Sequence, residues 1–129
     1  MSVAPPLVVL DSSCWIEYFL GTAAAEPYAK TVATATLVVP SITIFEVSRD
    51  LLRRFDSEHT LRAISLMQQH NVVPLTPDVA LNAAQLAVNL NLSSADAIVC
   101  ATAGQHRATL YTHDADLDGL DNVIYLPRL

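Results

Sequence analysis

Glycine is scarce in this sequence. Its 129 residues include only three glycines, Gly21, Gly104 and Gly119, which lie far apart in the chain. The phosphate-binding loops of P-loop and dinucleotide-binding enzymes need several glycines close together, because their backbone approaches the phosphates directly. The sequence therefore argues against both of these nucleotide-binding classes.

Basic residues are also few. Seven lysines and arginines stand against thirteen acidic residues, which gives a formal net charge of −6 at pH 7. This balance argues against a broad basic surface for nucleic acid, because such surfaces contact phosphates through many Lys and Arg side chains. A phosphate substrate is still possible if divalent cations reverse the local field, and an acidic domain also suits a basic protein partner.

The sequence has no close cysteine pair and no long apolar run. Cys14 and Cys100 lie in separate apolar stretches, so we predict two reduced core residues and no zinc or redox motif. No apolar run approaches the roughly 20 residues that span a bilayer, and the first residues lack the basic segment of a secretory signal. We expect a cytoplasmic protein with no membrane contact.

The composition is that of a folded protein. Hydrophobic residues make up 52% of the chain and charged residues 16%, far from the composition of disordered segments. The length fits one ordinary domain, and no linker, repeat or low-complexity stretch interrupts it. We predict a single domain over residues 1–129.

Short apolar runs alternate with longer stretches that have helical spacing of apolar residues. The runs predict strands at residues 7–10, 36–39, 72–75, 109–112 and 123–126. The intervening stretches predict helices at residues 14–20, from 27 onward, 42–55, 57–70, 80–90 and 94–106. This alternation predicts an α/β fold of three layers, with a central, mainly parallel sheet covered by helices on both faces.

Polar residues at the ends of these helices predict their boundaries. Ser12 and Ser13 are the predicted N-caps of the first helix, which Gly21 ends. Asn91 is the predicted stop of the fifth helix, and Ser93 is the predicted N-cap of the sixth.

Two acidic residues directly follow predicted strands. Asp11 comes after the first strand, and Asp114 comes one histidine after the fourth. In an open parallel sheet both would lie at the carboxyl edge, where such folds place their ligand crevices. Two neighbouring carboxylates repel unless a cation neutralises them or one stays protonated, so their convergence suggests a metal.

Two further acids lie near predicted helix starts among apolar residues. Asp96 falls in the first turn of the last helix, and Glu46 follows the second strand. Each has a structural explanation: a carboxylate in the first turn favours the helix dipole, and Glu46 has Arg49 three residues on as an ion-pair partner. Taken with Asp11 and Asp114, however, they form a set of oxygen ligands that suits Mg²⁺, whereas histidine and cysteine clusters for zinc are missing.

Four segments together resemble the motifs of the PIN domain family, especially the VapC type of bacterial toxin. They are VVLDSSCWIEYF at 8–19, SITIFE at 41–46, SSADAIVCA at 93–101 and LYTHD at 110–114. The resemblance spans nearly the whole chain, and the motifs follow in the family's order. None of the four is specific alone.

The resemblance implies a metal-dependent ribonuclease that leaves a 5′ phosphate and a 3′ hydroxyl, acting as the toxin of a type II toxin–antitoxin pair. It implies Mg²⁺ or Mn²⁺ as the cofactor, RNA as the substrate, a cognate antitoxin as a partner, and a homodimer. The catalytic and metal-holding residues that it implies are Asp11, Glu46, Asp96 and Asp114, with Asp116 as a possible further ligand. Ser12 and Thr112 could orient an acidic side chain or a water, although cap and strand preference explain them equally well.

Arginines near Glu46 admit two interpretations. Arg49 and Arg53 share the helix face of Glu46 and could contact substrate phosphates. Alternatively, Arg49 with Glu46 and Arg54 with Asp50 form ordinary intrahelical ion pairs.

The remaining polar and aromatic residues near the motifs are interpreted as structural. We predict His113 as an exposed loop histidine. We expect Trp15, Tyr18 and Phe19 to fill the core or a subunit interface, with base stacking as the alternative.

Three rival functions are weighed against the nuclease. A phosphoacceptor receiver domain needs a lysine near its site, but the only lysine, Lys30, lies in an early helix. A haloacid-dehalogenase phosphatase needs an aspartate where Ser13 stands. A non-catalytic PIN-like domain that binds RNA or protein stays open as the alternative.

Overall fold

A five-stranded, entirely parallel sheet forms the centre of the computed structural model, which describes residues 7–128. The strands are β1 (Leu7–Leu10), β2 (Thr36–Pro40), β3 (Asn71–Val73), β4 (Thr109–Thr112) and β5 (Val123–Tyr125). Their order across the sheet is β3-β2-β1-β4-β5.

Helices connect the strands and cover the sheet. They are α1 (Ser12–Leu20), α2 (Glu26–Thr34), α3 (Ser41–Arg54), α4 (Ser57–Gln68), α5 (Pro77–Leu90) and α6 (Ser94–Gln105), with short 3-10 turns at Ala23–Ala25 and Ala115–Leu117. The predicted three-layer α/β fold is confirmed.

The apolar runs form strands because both faces of the sheet are buried. Alternate residues of β1 point to opposite layers, so Val8 and Leu10 join one core and Val9 joins the other. The first core packs against α1 to α4 and includes Trp15, which is only 1% exposed. The expectation that Trp15 fills the core is confirmed, and Tyr18 and Phe19 pack partly buried against it.

The opposite core is smaller and packs against α6. It contains Val38, Val99 and Leu110, while α5 adds a further layer through contacts of Val79 and Ala83 with α6. Small residues along α6 allow α5 to approach closely. The helix that carries Asp96 is therefore fixed between the sheet and α5.

The strand order creates a crevice at one edge of the sheet. The chain runs from β1 outward to β2 and β3, then crosses to β4 on the other side of β1. Loops that leave β1 and β4 at their carboxyl ends therefore diverge, and this is where open α/β sheets bind ligands. The backbone N–H of Asp11 donates to the Tyr111 carbonyl at 3.0 Å, which joins the two strand ends.

The structure confirms three of the predicted helix boundaries and corrects one. Asp11, not Ser12 or Ser13, is the N-cap of α1, because its side chain accepts a hydrogen bond from the Ser12 backbone N–H. Gly21 ends α1 in the left-handed conformation at φ +67°. Asn91 ends α5 in the same conformation, and Ser93 caps α6 through the Asp96 N–H.

Proline accounts for another correction. The third strand ends at Val73 and does not reach residue 75, since Pro74 has no N–H for the sheet. The second strand, by contrast, includes Pro40, directly before α3.

Cys14 is a free, buried thiol, as predicted, and Cys100 is free and half-buried. Burial raises the pKa of each thiol to about 12, so both stay protonated near neutral pH.

Among residues 7–128, no single helix is long and apolar enough to cross a membrane. Helices α5 and α6 reach that length and apolar character only as a pair bent by 120°.

Asn91 ends α5 and lies at the turn that leads into α6, so substitutions of Asn91 test how much this turn contributes to stability. Its φ of +54° is strained for a residue with a Cβ, so Asn91→Ala should lower the free energy of unfolding by about 1 kcal/mol. Asn91→Gly is the matched control and should be at least as stable as the natural protein, because glycine adopts this conformation freely. Urea denaturation followed by circular dichroism measures both. Equal losses in the two variants would contradict this explanation.

Candidate active site

An acidic cleft of about 390 Å³ lies at the crevice between β1 and β4. It brings together all four acids that the sequence predicts for the site, although the first and last of them, Asp11 and Asp114, are 103 positions apart in the chain. Its lining residues are Asp11, Ser12, Ser13, Glu46, Asp96, His113, Asp114, Ala115 and Arg128.

Asp11 lies at the floor of the cleft and is 5% exposed. Its Oδ1 accepts a 2.9 Å hydrogen bond from the Ser12 backbone, and its Oδ2 accepts a 2.8 Å bond from the Thr112 hydroxyl. Burial raises the pKa of Asp11, and the charge of Asp114 adds to this effect, while these hydrogen bonds oppose it. The carboxylate is therefore oriented by the protein but stays electrostatically unfavourable.

The Thr112 side chain links the ends of β1 and β4 through hydrogen bonds. Besides donating to Asp11, its buried hydroxyl accepts a 2.9 Å hydrogen bond from the Asp114 backbone. One side chain thus sets the position of Asp11 and the start of the loop that carries Asp114. The sequence-based idea that Thr112 orients an acidic side chain agrees with these contacts.

Glu46 approaches the cleft from α3 and is half-buried. Burial raises the pKa of its carboxyl, and the negative charge of Asp11 raises it further. The Ser12 hydroxyl and the charge of Arg49 act in the opposite direction. Ser12 therefore acts on both acids: its backbone N–H donates to Asp11, and its hydroxyl lowers the pKa of Glu46.

Asp96 lies in the first turn of α6, where Ser93 caps the helix. Burial, close contact with the Asp114 carboxyl, and the charge of Asp11 together raise the pKa of Asp96 to about 7. A helix N-terminus alone would lower this pKa, so burial and the neighbouring acids together outweigh the dipole.

Asp114 and Asp116 extend the cluster toward solvent. Asp114 begins the Ala115–Leu117 turn, and its Oδ1 accepts a 2.9 Å bond from the Asp116 backbone. Carboxylate oxygens of Asp96, Asp114 and Asp116 all lie within 4.8 Å of one another. Asp116 is exposed and does not line the cleft, so it stands at the rim, whereas Asp11 and Glu46 lie deeper.

These residues fit a hard divalent cation. Their donor atoms are carboxylate oxygens, which Mg²⁺ and Mn²⁺ prefer and which differ from the nitrogen and sulfur ligands of structural zinc sites. Burial, and after it the charges of neighbouring carboxylates, raises the pKa values of Asp11, Glu46 and Asp96, so these groups repel one another when they are ionised. A bound cation removes this repulsion, and Asp96 and Asp114 are central to both the cleft and the close trio.

The arginines of α3 lie outside the cleft. The Arg49 guanidinium lies over the Phe45 ring, 5.2 Å from its centre, so the predicted ion pair with Glu46 is wrong. Arg53 is exposed and is not among the lining residues. The predicted pair of Arg54 with Asp50 is confirmed at 2.8 Å.

Sequence reasoning was wrong about His113. This histidine is 8% exposed and lies beneath the cleft: its Nε2 is 2.9 Å from the Tyr28 hydroxyl and its Nδ1 is 2.6 Å from the Leu126 carbonyl. Its place directly after a buried strand was a local indication of burial.

Arg128 was also missed by sequence reasoning. It lines the cleft from the far end of the chain, and no local pattern marks it.

Comparisons with known proteins agree with this fold. A sequence model of the PIN domain family matches residues 8–123. A solved toxin–antitoxin complex from Klebsiella pneumoniae is 25% identical, with a TM-score of 0.80 over 95% of this chain and 99% of the other. No curated protein matches significantly.

Two more distant structures show the fold alone. A DNA-bound VapBC from Salmonella typhimurium is 14% identical, with a TM-score of 0.73 over 93% of this chain and 96% of the other. VapC20 of Mycobacterium tuberculosis, described as a sarcin-ricin loop cleaving toxin, is 18% identical, with a TM-score of 0.69 over 86% and 91%.

Asp96 should make the metal-free protein less stable as pH rises. Because the folded state holds this proton up to about pH 7 while the unfolded state loses it near 3.8, stability should fall from about pH 4 to pH 7 and then level off. At pH 8 in EDTA, Asp96→Asn should therefore melt at a higher temperature than the natural protein, and the gap should shrink at pH 5. Added Mn²⁺ should stabilise the natural protein more than the variant. A variant that is less stable at both pH values in EDTA would contradict this prediction.

Thr112 should control the affinity for the cation through Asp11. Thr112→Val keeps the shape of the side chain but removes its hydrogen bonds to Asp11 and Asp114, so the Mn²⁺ dissociation constant should rise about 10- to 100-fold. Thr60→Val is the control, because Thr60 is also buried but its hydroxyl donates to the backbone carbonyl of Asp56, the N-cap of α4, outside the cleft. Isothermal titration with Mn²⁺ compares them, and equal affinities for both variants would contradict the assigned role of Thr112.

Proposed function

The chain belongs to the PIN domain family, and we propose that it is a divalent-metal-dependent endoribonuclease, the toxin of a type II toxin–antitoxin pair. Among the neighbours of similar fold are toxin–antitoxin complexes and a toxin described as cleaving the sarcin-ricin loop. Catalysis, metal dependence and RNA as the substrate are our proposals for this chain.

The observation that carries the proposal is the convergence of Asp11, Glu46, Asp96 and Asp114 in one cleft. Folding buries these carboxylates close together, and burial followed by the charge of neighbouring acids raises the pKa of Asp11, Glu46 and Asp96. A purely structural role would not require several carboxylates to be buried close together, which is unfavourable for folding. Each acid could instead cap a helix or pair with an arginine elsewhere. A cation-dependent function explains why the arrangement exists.

Asp11, Asp96 and Asp114 would hold Mg²⁺ or Mn²⁺, with Glu46 reaching the cleft from α3 and Asp116 at the rim. When bound, such an ion acts as a Lewis acid that stabilises charge on phosphoryl oxygens and makes water a stronger nucleophile near neutral pH. No protein nucleophile is then needed.

The chain's own groups prepare this site. Thr112 and Ser12 fix the direction of the Asp11 carboxylate, so its oxygens do not reorganise when substrate arrives. Glu46, whose carboxyl has a raised pKa, is suited to accept a proton from an attacking water. Attack by water in line with the 3′ oxygen would break the P–O3′ bond, which leaves a 5′ phosphate and, once the leaving oxygen takes up a proton, a 3′ hydroxyl.

We further propose that a cognate antitoxin binds beside the cleft. Three strongly exposed apolar side chains lie on or directly after α3, the helix that carries Glu46: Phe45 at 59%, Leu52 at 53% and, at the C-cap, Phe55 at 44%. An apolar patch next to an acidic cleft suits a partner with apolar residues and a basic side chain. The homodimer and the cytoplasmic location expected from the sequence remain proposals.

RNA cleavage tests the proposed function. The purified protein should cut RNA in Mg²⁺ or Mn²⁺ and stop in EDTA, and Asp11→Asn or Glu46→Gln should reduce the rate by at least about 100-fold. Asp50→Asn is the matched control: it changes charge on the same helix as Glu46, but Asp50 pairs with Arg54 outside the cleft, so full activity is expected.

Two outcomes would overturn the assignment. One is cleavage that survives EDTA and the Asp11→Asn change. The other is Mn²⁺ and RNA binding with no cleavage of any RNA tested, which would favour the non-catalytic alternative. Sequencing of the RNA ends should show 5′ phosphates, and cyclic phosphate ends would instead indicate attack by the ribose 2′ oxygen.

A further inference from the structure

Arg128 is the one lysine or arginine that lines the acidic cleft within residues 7–128. It lines the same cleft as the acids Asp11, Glu46, Asp96 and Asp114. The remaining basic residue near this region, Arg49, lies over Phe45 and does not line the cleft. Arg128 is thus the single basic side chain among the described residues that line this acidic cleft.

The backbone before Arg128 is firmly held. The Leu126 N–H donates to the Thr112 carbonyl at 2.8 Å, and the Leu126 carbonyl lies 2.6 Å from the His113 ring. Pro127 then restricts the backbone to one narrow range of φ. The chain before Arg128 is therefore held by the last residue of β4 and by the residue after it, immediately before Asp114.

A tether to Glu17 accounts for only part of the Arg128 side chain. The Arg128 Nε lies 3.5 Å from the Glu17 carboxylate. A guanidinium has five N–H donors, and the Nε contact uses one of them, so both terminal nitrogens stay available. The Arg128 side chain is 54% exposed, and an ion pair this exposed contributes little to stability. The tether is therefore weak, and the Arg128 guanidinium does not depend on it to bind another group.

A phosphodiester is negatively charged, so a positively charged side chain such as Arg128 can attract it to this cleft. Even with a divalent cation bound, four carboxylates leave the cleft acidic, and a phosphate group entering it would be repelled. A planar guanidinium can bind two phosphate oxygens at once, which fixes both position and orientation. Resting on the proposed nuclease function, we propose that Arg128 is a substrate-binding residue that holds an RNA phosphate at the edge of the acidic cleft.

Binding of a short fluorescein-labelled single-stranded RNA tests this assignment. Anisotropy is measured in Ca²⁺, a hard cation that takes oxygen ligands, and gels check that the RNA stays intact. Arg128→Ala should weaken binding about tenfold and reduce the salt dependence of log Kd by about 0.7, the value for one lost single-strand phosphate contact. Arg128→Lys should recover part of the affinity, since it restores the charge but not the planar fork.

Two controls separate phosphate binding from other effects. Arg62→Ala removes the same charge and breaks a similar exposed pair with Glu58 on α4, outside the cleft, so RNA affinity should not change. Glu17→Gln removes the tether and one nearby negative charge, so RNA should bind at least as tightly as to the natural protein. If Arg128 served only to hold the end of the chain against α1, Glu17→Gln would weaken binding as much as Arg128→Ala, and the inference would fail.

These experiments distinguish failure of the proposed role of Arg128 from failure of the proposed nuclease function. RNA binding that depends on Arg128, without cleavage in Mg²⁺ or Mn²⁺, would support the role of Arg128 and reject the nuclease. Cleavage with unchanged affinity and unchanged KM in Arg128→Ala would support the nuclease and reject the role of Arg128.

Discussion

Repulsion among carboxylates at the crevice between β1 and β4 is the constraint on which this structure depends. Asp11, Glu46, Asp96 and Asp114 share one cleft, and burial together with their mutual charge raises the pKa of three of them. Such an arrangement weakens the metal-free fold, because carboxyl groups must either ionise close together or hold a proton. The large apolar cores on both faces of the sheet offset this cost.

The parallel sheet makes this concentration of charge possible. At the switch point between β1 and β4, two loops diverge and leave room for helix starts from α3 and α6 to approach. Thr112 then connects the two strand ends through hydrogen bonds to Asp11 and Asp114. The site is therefore built on rigid elements, which favours a fixed cation geometry over a flexible one.

Most strands and helices, and the four acids of the cleft, could be predicted from the sequence. The strands were predictable because apolar runs flanked by polar residues have few other stable arrangements, and the acids stood out directly after strands or at helix starts. Boundaries that depend on a local cap were less certain: Asp11, which the sequence suggests as a ligand, also caps α1 in place of Ser12 or Ser13. When one side chain has two roles, as Asp11 does, the residues next to it in the sequence do not reveal both roles.

By itself, the sequence determined the alternation of elements, the lack of basic surface and the set of candidate oxygen ligands, since composition and periodicity express these directly. Only the tertiary structure decided that His113 is buried against Tyr28 and Leu126, that Arg49 turns to Phe45, and that Arg128 enters the cleft. Each of these depends on residues that are distant in the chain or on the choice between two neighbouring partners. Local patterns carry no information about such contacts, because the packing of the whole sheet and its helices sets them.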